Sequence, residues 1–299
     1  MAGPLSSWRD GKARAAIVDF VTRVTGSGAD HVPESERIAT FDNDGTLWCE
    51  QPMPVQAFFL LDRVRELAAA DPAIADRDPF KALLEGDHAR LQAIGKQGLM
   101  EMFVPTHAGM TQREFATITQ AWQARARHPQ LGRRFVDLVY QPQIELLEYL
   151  RANAFKCFVV TSGGIDFVRA CSEPRYGIPP EQVIGSSARL RVDISARGLR
   201  LVRRPELRCF NDREAKVESI GLQRLRAGER AGRHLDHEHD GVDRDDRDQP
   251  TLVIGGHAVE DGAVIVLTEC AHAADIGESA AAIKVIRSQN RVIFQCVML

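Results

Sequence analysis

The sequence predicts an α/β protein built on a mainly parallel sheet. Two short apolar runs, residues 38–41 and 155–160, each end in a polar turn that contains glycine, as the strands of such sheets do. Apolar residues recur at helical spacing in residues 55–70 and 142–150. Strands that alternate with helical segments are typical of a parallel sheet covered by helices.

The first strand leads directly into two carboxylates, Asp42 and Asp44, which are followed by Gly45 and Thr46. Ligands of open α/β sheets bind at the carboxyl ends of the strands. Carboxylate oxygens suit a hard cation such as Mg²⁺, and a carboxylate can also attack phosphorus as a nucleophile. This stretch therefore predicts a catalytic or metal-binding site at the end of the first strand.

Residues 41–47 resemble the first signature of the haloacid-dehalogenase superfamily, in which the pattern Asp-x-Asp-Gly-Thr follows a strand. The resemblance implies that Asp42 is the nucleophile, which forms an aspartyl-phosphate, and that Asp44 is the general acid and base. Members that cleave carbon–halogen bonds generally lack the second aspartate, because a halide needs no proton to leave. The presence of Asp44 therefore favours phosphoryl transfer over dehalogenation.

The second apolar run ends in Thr161 and Ser162, followed by two glycines. Glycines at this place let backbone N–H groups approach an anion at the start of the next helix. In the superfamily, a threonine or serine directly after this strand binds a phosphoryl oxygen. The resemblance gives this role to Thr161, with Ser162 as the alternative hydroxyl.

Lys216 is the candidate for the third signature, a lysine that holds the phosphoryl group and the carboxylate of the nucleophile. Helical spacing places it on one face with Asp212, near a predicted helix start. It follows an apolar segment at 183–187 and predicted strands at 189–194 and 199–203. A lysine taken alone is usually only solvated, so this assignment depends on the first two signatures.

The segment between the first two signatures, residues 49–153, is predicted to be mostly helical. Residues 111–114 have the form of a capping box ahead of a helix. The segment resembles the helical cap of the phosphoserine-phosphatase-like branch of the superfamily, a lid that would exclude water and suit small substrates. The predicted Rossmann-like core comprises residues 1–48 and 154–220, and its continuation to residue 299 is left open.

The fourth signature, which completes the Mg²⁺ site with Gly-Asp-x-x-x-Asp or Asp-Asp after a strand, is missing where it is expected. Residues 222–249 are densely charged with both signs, which predicts a solvated or disordered loop. A strand-like run follows from residue 251, but Gly256 occupies the place of the first aspartate. The C-terminal segment 250–299 therefore has no certain assignment.

Three explanations of the missing fourth signature remain open. Glu260 or Asp261 could complete a degenerate metal site, or the chain beyond residue 220 could be unrelated to the superfamily. In the third, an acid of the charged loop supplies the ligand: Asp240, Asp243 or Asp245. Loss of a carboxylate would weaken Mg²⁺ binding and the neutralisation of phosphoryl charge.

The charge, the apolar runs and the cysteines of the sequence limit the expected binding partners and the expected location of the protein. A formal net charge of −3 gives no reason to expect nucleic acid or an anionic membrane surface as a partner. No apolar run has transmembrane length, and the first residues lack the features of a secretory signal. The six cysteines form no Cys-x-x-Cys pair, so reduced thiols and a cytoplasmic location are expected.

The sequence thus predicts a Mg²⁺-dependent phosphomonoesterase that acts on a small phosphorylated metabolite. Asp42 and Asp44 are the predicted metal ligands, with Glu260 and Asp261 as further candidates. The alternative is a weak or inactive relative with an incomplete metal site, which binds a phosphorylated ligand. The sequence does not indicate the oligomeric state.

Overall fold

The computed structural model describes residues 4–195, 198–226, 281–288 and 291–298. Its strands are β1 (Ile38–Phe41), β2 (Lys156–Gly164), β3 (Val183–Ser195), β4 (Gly198–Cys209), β5 (Ala281–Ser288) and β6 (Arg291–Met298). They form one sheet in the order β4-β3-β2-β1-β6-β5. Strands β3, β2, β1 and β6 run parallel to one another, whereas the edge strands β4 and β5 run antiparallel to their neighbours β3 and β6. The predicted α/β class with a mainly parallel sheet is confirmed.

Most helices of the described residues lie between β1 and β2 in the chain. The helix predicted at 55–70 is present with the same bounds, and the one predicted at 142–150 extends by one or two residues at each end. The helices are α1 (Lys12–Thr25), α2 (Val55–Ala70), α3 (Phe80–Glu85), α4 (His88–Phe103), α5 (Gln112–Arg125), α6 (Gln141–Ala152), α7 (Ile165–Tyr176) and α8 (Glu214–Arg226).

The capping box predicted at residues 111–114 starts α5. The Thr111 hydroxyl accepts a hydrogen bond from the Glu114 N–H at 3.1 Å, and the Glu114 carboxylate accepts one from the Thr111 N–H at 2.7 Å. Two backbone donors of the first helical turn are thereby satisfied. The prediction is confirmed.

One hydrophobic core joins the sheet to the helices between β1 and β2. At its centre, Phe59 of α2 contacts Phe167 of α7 and Trp122 of α5, with ring centroids 5.2 and 5.4 Å apart. The buried ring of His107 also stacks on Phe59, with ring centroids 5.4 Å apart. Because α7 directly follows β2, this aromatic cluster fixes α2 and α5 against the carboxyl edge of the sheet.

Strand β2 is longer than predicted, because pairing continues beyond residue 160 through an irregularity. Val160 lies opposite Ile184 and Gly164 opposite Ser186, so four steps along β2 match two steps along β3. The two extra residues form a bulge, which redirects side chains at the end of a strand. The turn predicted to follow the second apolar run is therefore part of the strand.

The C-terminal predictions fall largely outside the described residues. Residues 222–226, predicted to begin the charged loop, instead end α8. The rest of that loop and the strand-like run at 251–254 are not among the described residues. In the described sheet, β6 occupies the position beside β1, with Ile38 opposite Ile293.

Two further predictions concern membranes and thiols. No helix of the described segments has the length and apolar character needed to span a bilayer. The cysteines within the described residues, Cys49, Cys157, Cys171 and Cys209, are free thiols.

The close approach of β3 to the bulge makes Gly185 sensitive to substitution. A Cβ at this position would lie 2.9 Å from the Gly163 carbonyl oxygen and 3.1 Å from the Ile165 nitrogen, both backbone atoms. We expect Gly185→Ala to lower the free energy of unfolding by about 1–3 kcal/mol, as overpacking does. Urea denaturation measures this change. Gly11→Ala is the matched control, since a Cβ at Gly11 meets nothing within 4 Å, and equal losses in the two variants would contradict the prediction.

Candidate active site

The candidate site is built around a buried ion pair between Asp42 and Lys216. Asp42 directly follows β1, and Lys216 lies in the first turn of α8. The Lys216 Nζ donates to the Asp42 Oδ2 at 2.6 Å, and the two side chains are only 2% and 7% exposed. The structure therefore brings the predicted nucleophile and the predicted lysine into direct contact.

The loop after β1 is held by hydrogen bonds to Asn43. Its carbonyl oxygen accepts from the N–H groups of residues 46, 47 and 48, at 3.2, 2.8 and 3.3 Å. Its N–H donates to the Asp42 Oδ1 at 2.7 Å, and its side-chain oxygen accepts from the Tyr176 hydroxyl at 3.0 Å. Gly45 has a φ of 72°, a conformation that favours glycine. These constraints fix the directions of the two aspartates.

Asp44 has an environment suited to carrying a proton near neutral pH. Its pKa is raised to about 7, mainly by removal from water and also by the charges of Asp42 and Glu50, against the opposing effects of the hydrogen bond from Trp48 and the charge of Lys216. The Trp48 Nε1 donates to the Asp44 Oδ1 at 2.9 Å. A carboxyl group with a pKa near the working pH can both donate and accept a proton efficiently.

Gln56, Thr161 and Asp44 closely surround the position that a Cβ on Gly163 would occupy, and the Gln56 Oε1 is the nearest of their atoms at 3.1 Å. The position of a Cβ on Gly163 would lie 3.3 Å from the Thr161 Oγ1 and 3.7 Å from the Asp44 Oδ2. The Gly163 N–H also donates to the Thr161 Oγ1 at 3.0 Å. We call this position and its surroundings the Gly163 cradle. The bulge in β2 thus places the predicted phosphate-binding hydroxyl beside the predicted acid and base.

Ser162, the alternative hydroxyl, is partly exposed and contributes a backbone contact. Its carbonyl oxygen accepts from the Ser186 Oγ at 2.6 Å, and that oxygen accepts in turn from the Asn211 N–H at 2.9 Å. The Asn211 side chain donates to the Thr161 carbonyl oxygen at 2.9 Å. Asn211 and Ser186 thereby link the end of β2 to the segment that carries Lys216.

Three residues of the site were not predicted from the sequence: Asn211, Ser186 and Gln56. Gln56, at the start of α2, accepts from the Gly164 N–H at 2.7 Å. Asn211 stands just before a helix in a polar segment, a weak signal of a structural role. No local pattern marks Gln56 or Ser186, because their partners are distant in sequence.

The chemistry of the site fits the Mg²⁺ that the family resemblance implies. Asp42 and Asp44 place carboxylate oxygens at one edge of the sheet, beside the Gly163 cradle. Mg²⁺ is usually bound through one or two carboxylates together with substrate phosphate oxygens. Among the residues that the structure describes, no group of three or more His, Cys, Asp or Glu side chains could hold a metal. The further candidates lie outside these residues: Glu260, Asp261, Asp240, Asp243 and Asp245.

Comparison with family models agrees with the geometry of the site. The model of haloacid dehalogenase-like hydrolases matches residues 39–238, which is more than half of the chain. The chain belongs to this family of hydrolases. A comparison with curated proteins found no match.

Solved structures show more distant similarity. One is a protein of unknown function from Bordetella pertussis Tohama I, with 18% identity, coverage of 62% of this chain and 73% of that chain, and a TM-score of 0.43. Another is a functionally unknown protein from Anaerococcus prevotii DSM 20548, with 16% identity, coverage of 71% and 76%, and a TM-score of 0.44. A phosphoserine phosphohydrolase-like protein from Francisella tularensis SCHU S4 has 14% identity, coverage of 64% and 71%, and a TM-score of 0.32. The family assignment rests on the family model alone.

The buried ion pair predicts a large effect when one partner is removed. In Lys216→Met the Asp42 carboxylate would remain buried without its partner, which we expect to cost roughly 3–5 kcal/mol of stability. Lys81→Met is the control, because the exposed pair of Lys81 with Glu85 should contribute at most about 1 kcal/mol. Chemical denaturation measures both variants.

The double variant Asp42→Asn/Lys216→Met separates charge from packing. It removes both charges, so we expect it to be more stable than Lys216→Met alone. If the single and double variants unfold at the same denaturant concentration, the buried charge is not the cause of the loss.

Proposed function

We propose that this hydrolase is a phosphomonoesterase that works through an aspartyl-phosphate on Asp42. The observation that carries the proposal is the meeting of Asp42, Asp44, Thr161 and Lys216 at the carboxyl ends of β1 and β2. Each of these side chains matches a role that phosphoryl transfer requires. The substrate is a small phosphorylated metabolite.

In the first step, a carboxylate oxygen of Asp42 attacks phosphorus while the bond from phosphorus to the leaving oxygen breaks. Asp44 gives its proton to that oxygen, so the leaving group departs as an alcohol. In the second step, Asp44 takes a proton from water, whose oxygen attacks phosphorus and breaks the bond to Asp42. Free phosphate is released and both aspartates return to their starting states.

Lys216 and Thr161 bind the phosphoryl oxygens in this mechanism. The ammonium of Lys216 lies against the nucleophile and offsets the negative charge that the phosphoryl group brings to a buried site. The Thr161 hydroxyl and the Gly163 cradle hold the phosphoryl group next to the proton carried by Asp44. Mg²⁺, when bound by Asp42 and Asp44, supplies further charge neutralisation.

The helical segment 49–153 is proposed to act as the cap of this site. Gln56 of α2 accepts a hydrogen bond from Gly164 at the end of β2. The aromatic cluster packs α2 and α5 near the same edge of the sheet. A cover in this position excludes water from the phosphorylated aspartate, which protects the intermediate until hydrolysis. It also restricts access to small substrates. Helix α6, in contrast, packs against β2.

A second candidate function is phosphate-ester binding without effective turnover. The departure of the sequence from the fourth signature, with Gly256 in the place of an aspartate, favours it. A site with one carboxylate fewer would hold Mg²⁺ weakly and would leave phosphoryl charge uncompensated. The two candidates differ in whether added Mg²⁺ produces turnover.

The test is hydrolysis of p-nitrophenyl phosphate by the full chain, titrated with Mg²⁺ after treatment with a chelator. We expect rates that rise with Mg²⁺ and saturate, and a background rate for Asp42→Asn at every concentration. Asp44→Asn should retain only about 10⁻²–10⁻⁴ of the rate, the usual cost of losing a general acid or base. Asp10→Asn is the control, because the Asp10 side chain is exposed and pairs only with the surface residue Arg14 among the described residues.

A covalent readout identifies the nucleophile. Mass spectrometry of acid-quenched reactions should find one added phosphoryl group on the peptide that contains Asp42, and none in Asp42→Asn. Wild-type rates in Asp42→Asn would disprove the nucleophile assignment. Absence of Mg²⁺-dependent turnover in the folded wild type would favour the second candidate.

A further inference from the structure

The hairpin formed by β3 and β4 carries an apolar face at its outer end. Its ladder is regular from the pair Leu190–Arg203 to the pair Ser195–Gly198. Side chains two residues apart along a strand lie on the same face, and so do those directly opposite on the partner strand. Five apolar side chains therefore share one face, which we call the hairpin face: Leu190, Val192, Ile194, Leu199 and Leu201.

The hairpin face is open to solvent in the part of the chain that the structure describes. The exposed fractions of its side chains are 36% for Leu190, 53% for Val192, 78% for Ile194, 66% for Leu199 and 37% for Leu201. Neither hydrophobic cluster of the described residues includes any of them. Single exposed apolar side chains are ordinary on a protein surface, whereas a contiguous group of this kind marks an interaction site.

The opposite face of the same hairpin is polar, and its charges are paired. Asp193 lies directly across from Arg200, whose Nη2 donates to the Asp193 Oδ2 at 2.6 Å. The Arg191 Nη1 lies 3.8 Å from the Asp193 Oδ1. Because successive side chains of a strand alternate between its faces, these charges lie on the side away from a partner that contacts the hairpin face.

The base of the hairpin is anchored, so the hairpin face is held in a fixed direction. The side chain of Arg203 pairs with Asp166 of α7 and lies over the Phe115 ring, 4.3 Å from its centroid. The Arg203 N–H donates to the Met110 carbonyl at 2.8 Å, and its carbonyl accepts from the Gly109 N–H at 2.9 Å. Beyond this anchor, a two-stranded ribbon with an apolar face in water is marginally stable, and packing of that face against another surface stabilises it.

The distribution of charge favours a second copy of this chain as the partner. An anionic surface would gain little attraction from this region, because Arg191 and Arg200 are paired with Asp193 on the opposite face. The formal net charge of −3 also opposes such a surface. An uncharged apolar face is complementary to itself, so two copies related by a two-fold axis can pack their hairpins face to face, about 10 Å apart as in β-sandwiches.

The size of the hairpin face fits a weak dimer. Five partly exposed aliphatic side chains form a patch of roughly 300–500 Å² on each copy, within the range that is often functional. A two-fold contact buries the patch of both copies together with the side chains at its rim, which gives on the order of 1,000 Å², the lower end for a specific interface. We therefore expect association at micromolar concentrations.

We propose that the hairpin face is the contact surface of a homodimer, in which two copies pack their β3–β4 hairpins across a two-fold axis. The contact is separate from the candidate active site. Strand β4 begins at the exposed end of the hairpin, at Gly198, and the chain reaches Lys216 only after this strand has ended at Cys209. Dimer formation therefore does not depend on the proposed phosphatase function.

Sedimentation equilibrium of the full chain over a range of concentrations tests the dimer. We expect a dissociation constant of about 1–100 µM, as for a small interface. Ile194→Thr/Leu199→Thr keeps residues that favour strands but removes apolar surface, and should raise this constant at least about tenfold. Leu131→Thr is the control: it removes a leucine that is 58% exposed in the loop between α5 and α6, and should leave the constant unchanged.

A pair of charge variants tests whether the two hairpins face each other. Ile194→Lys/Leu199→Lys and Ile194→Glu/Leu199→Glu should each stay monomeric, because like charges would meet across the two-fold axis. An equimolar mixture of the two should form a heterodimer, because opposite charges then meet. If both variants fold, as circular dichroism would show, and their mixture remains monomeric, the face-to-face contact is wrong.

Three further outcomes would overturn the proposal. One is a wild-type chain that remains monomeric up to several hundred micromolar, well above the expected dissociation constant. Another is a dimer that the threonine substitutions leave unchanged. The third is co-sedimentation with vesicles of phosphatidylcholine and phosphatidylserine that the same substitutions abolish, which would assign the hairpin face to a lipid surface. None of these measurements requires turnover, so failure to hydrolyse p-nitrophenyl phosphate would overturn only the proposed function.

Discussion

The contact between Asp42 and Lys216 is the interaction on which the rest of the site depends. Two charges removed from water at 2.6 Å separation contribute little net stability, because desolvation offsets most of their attraction. The proposed function accounts for their burial by the phosphoryl group that the two residues would bind. The pair also requires that the first turn of α8 stay fixed relative to the end of β1. Asn211 contributes to this by donating hydrogen bonds to Ser186 and to the Thr161 carbonyl oxygen in β2.

The helical segment and the sheet are coupled by packing as well as by polar contacts. The aromatic cluster makes α2, α5 and α7 parts of one hydrophobic core, and Arg203 adds a cation held over Phe115. A helical segment that shares a core with the sheet holds the positions of its polar groups closely. The helical segment cannot move relative to the sheet without disrupting this core.

The sequence pattern predicts the candidate reactive residues but not their supporting contacts. Asp42 and Asp44 are recognisable because two carboxylates at the end of an apolar strand are a local pattern. Gln56 and Ser186 carry no such pattern, because each acts through partners from other elements. The end of β2 was placed too early for the same reason: glycines signal a turn, whereas pairing with β3 maintains the strand through a bulge.

The sequence by itself determined the α/β class, the order of the motifs and the chemical types at positions 42, 44, 161 and 216. These depend on short-range periodicity and on residue chemistry, and both can be recognised in short segments of the sequence. Only the tertiary structure decided that Lys216 reaches Asp42 and that the bulge turns Thr161 towards Asp44. Such contacts join residues far apart in sequence, and they form only when the packing of the whole core brings those elements together.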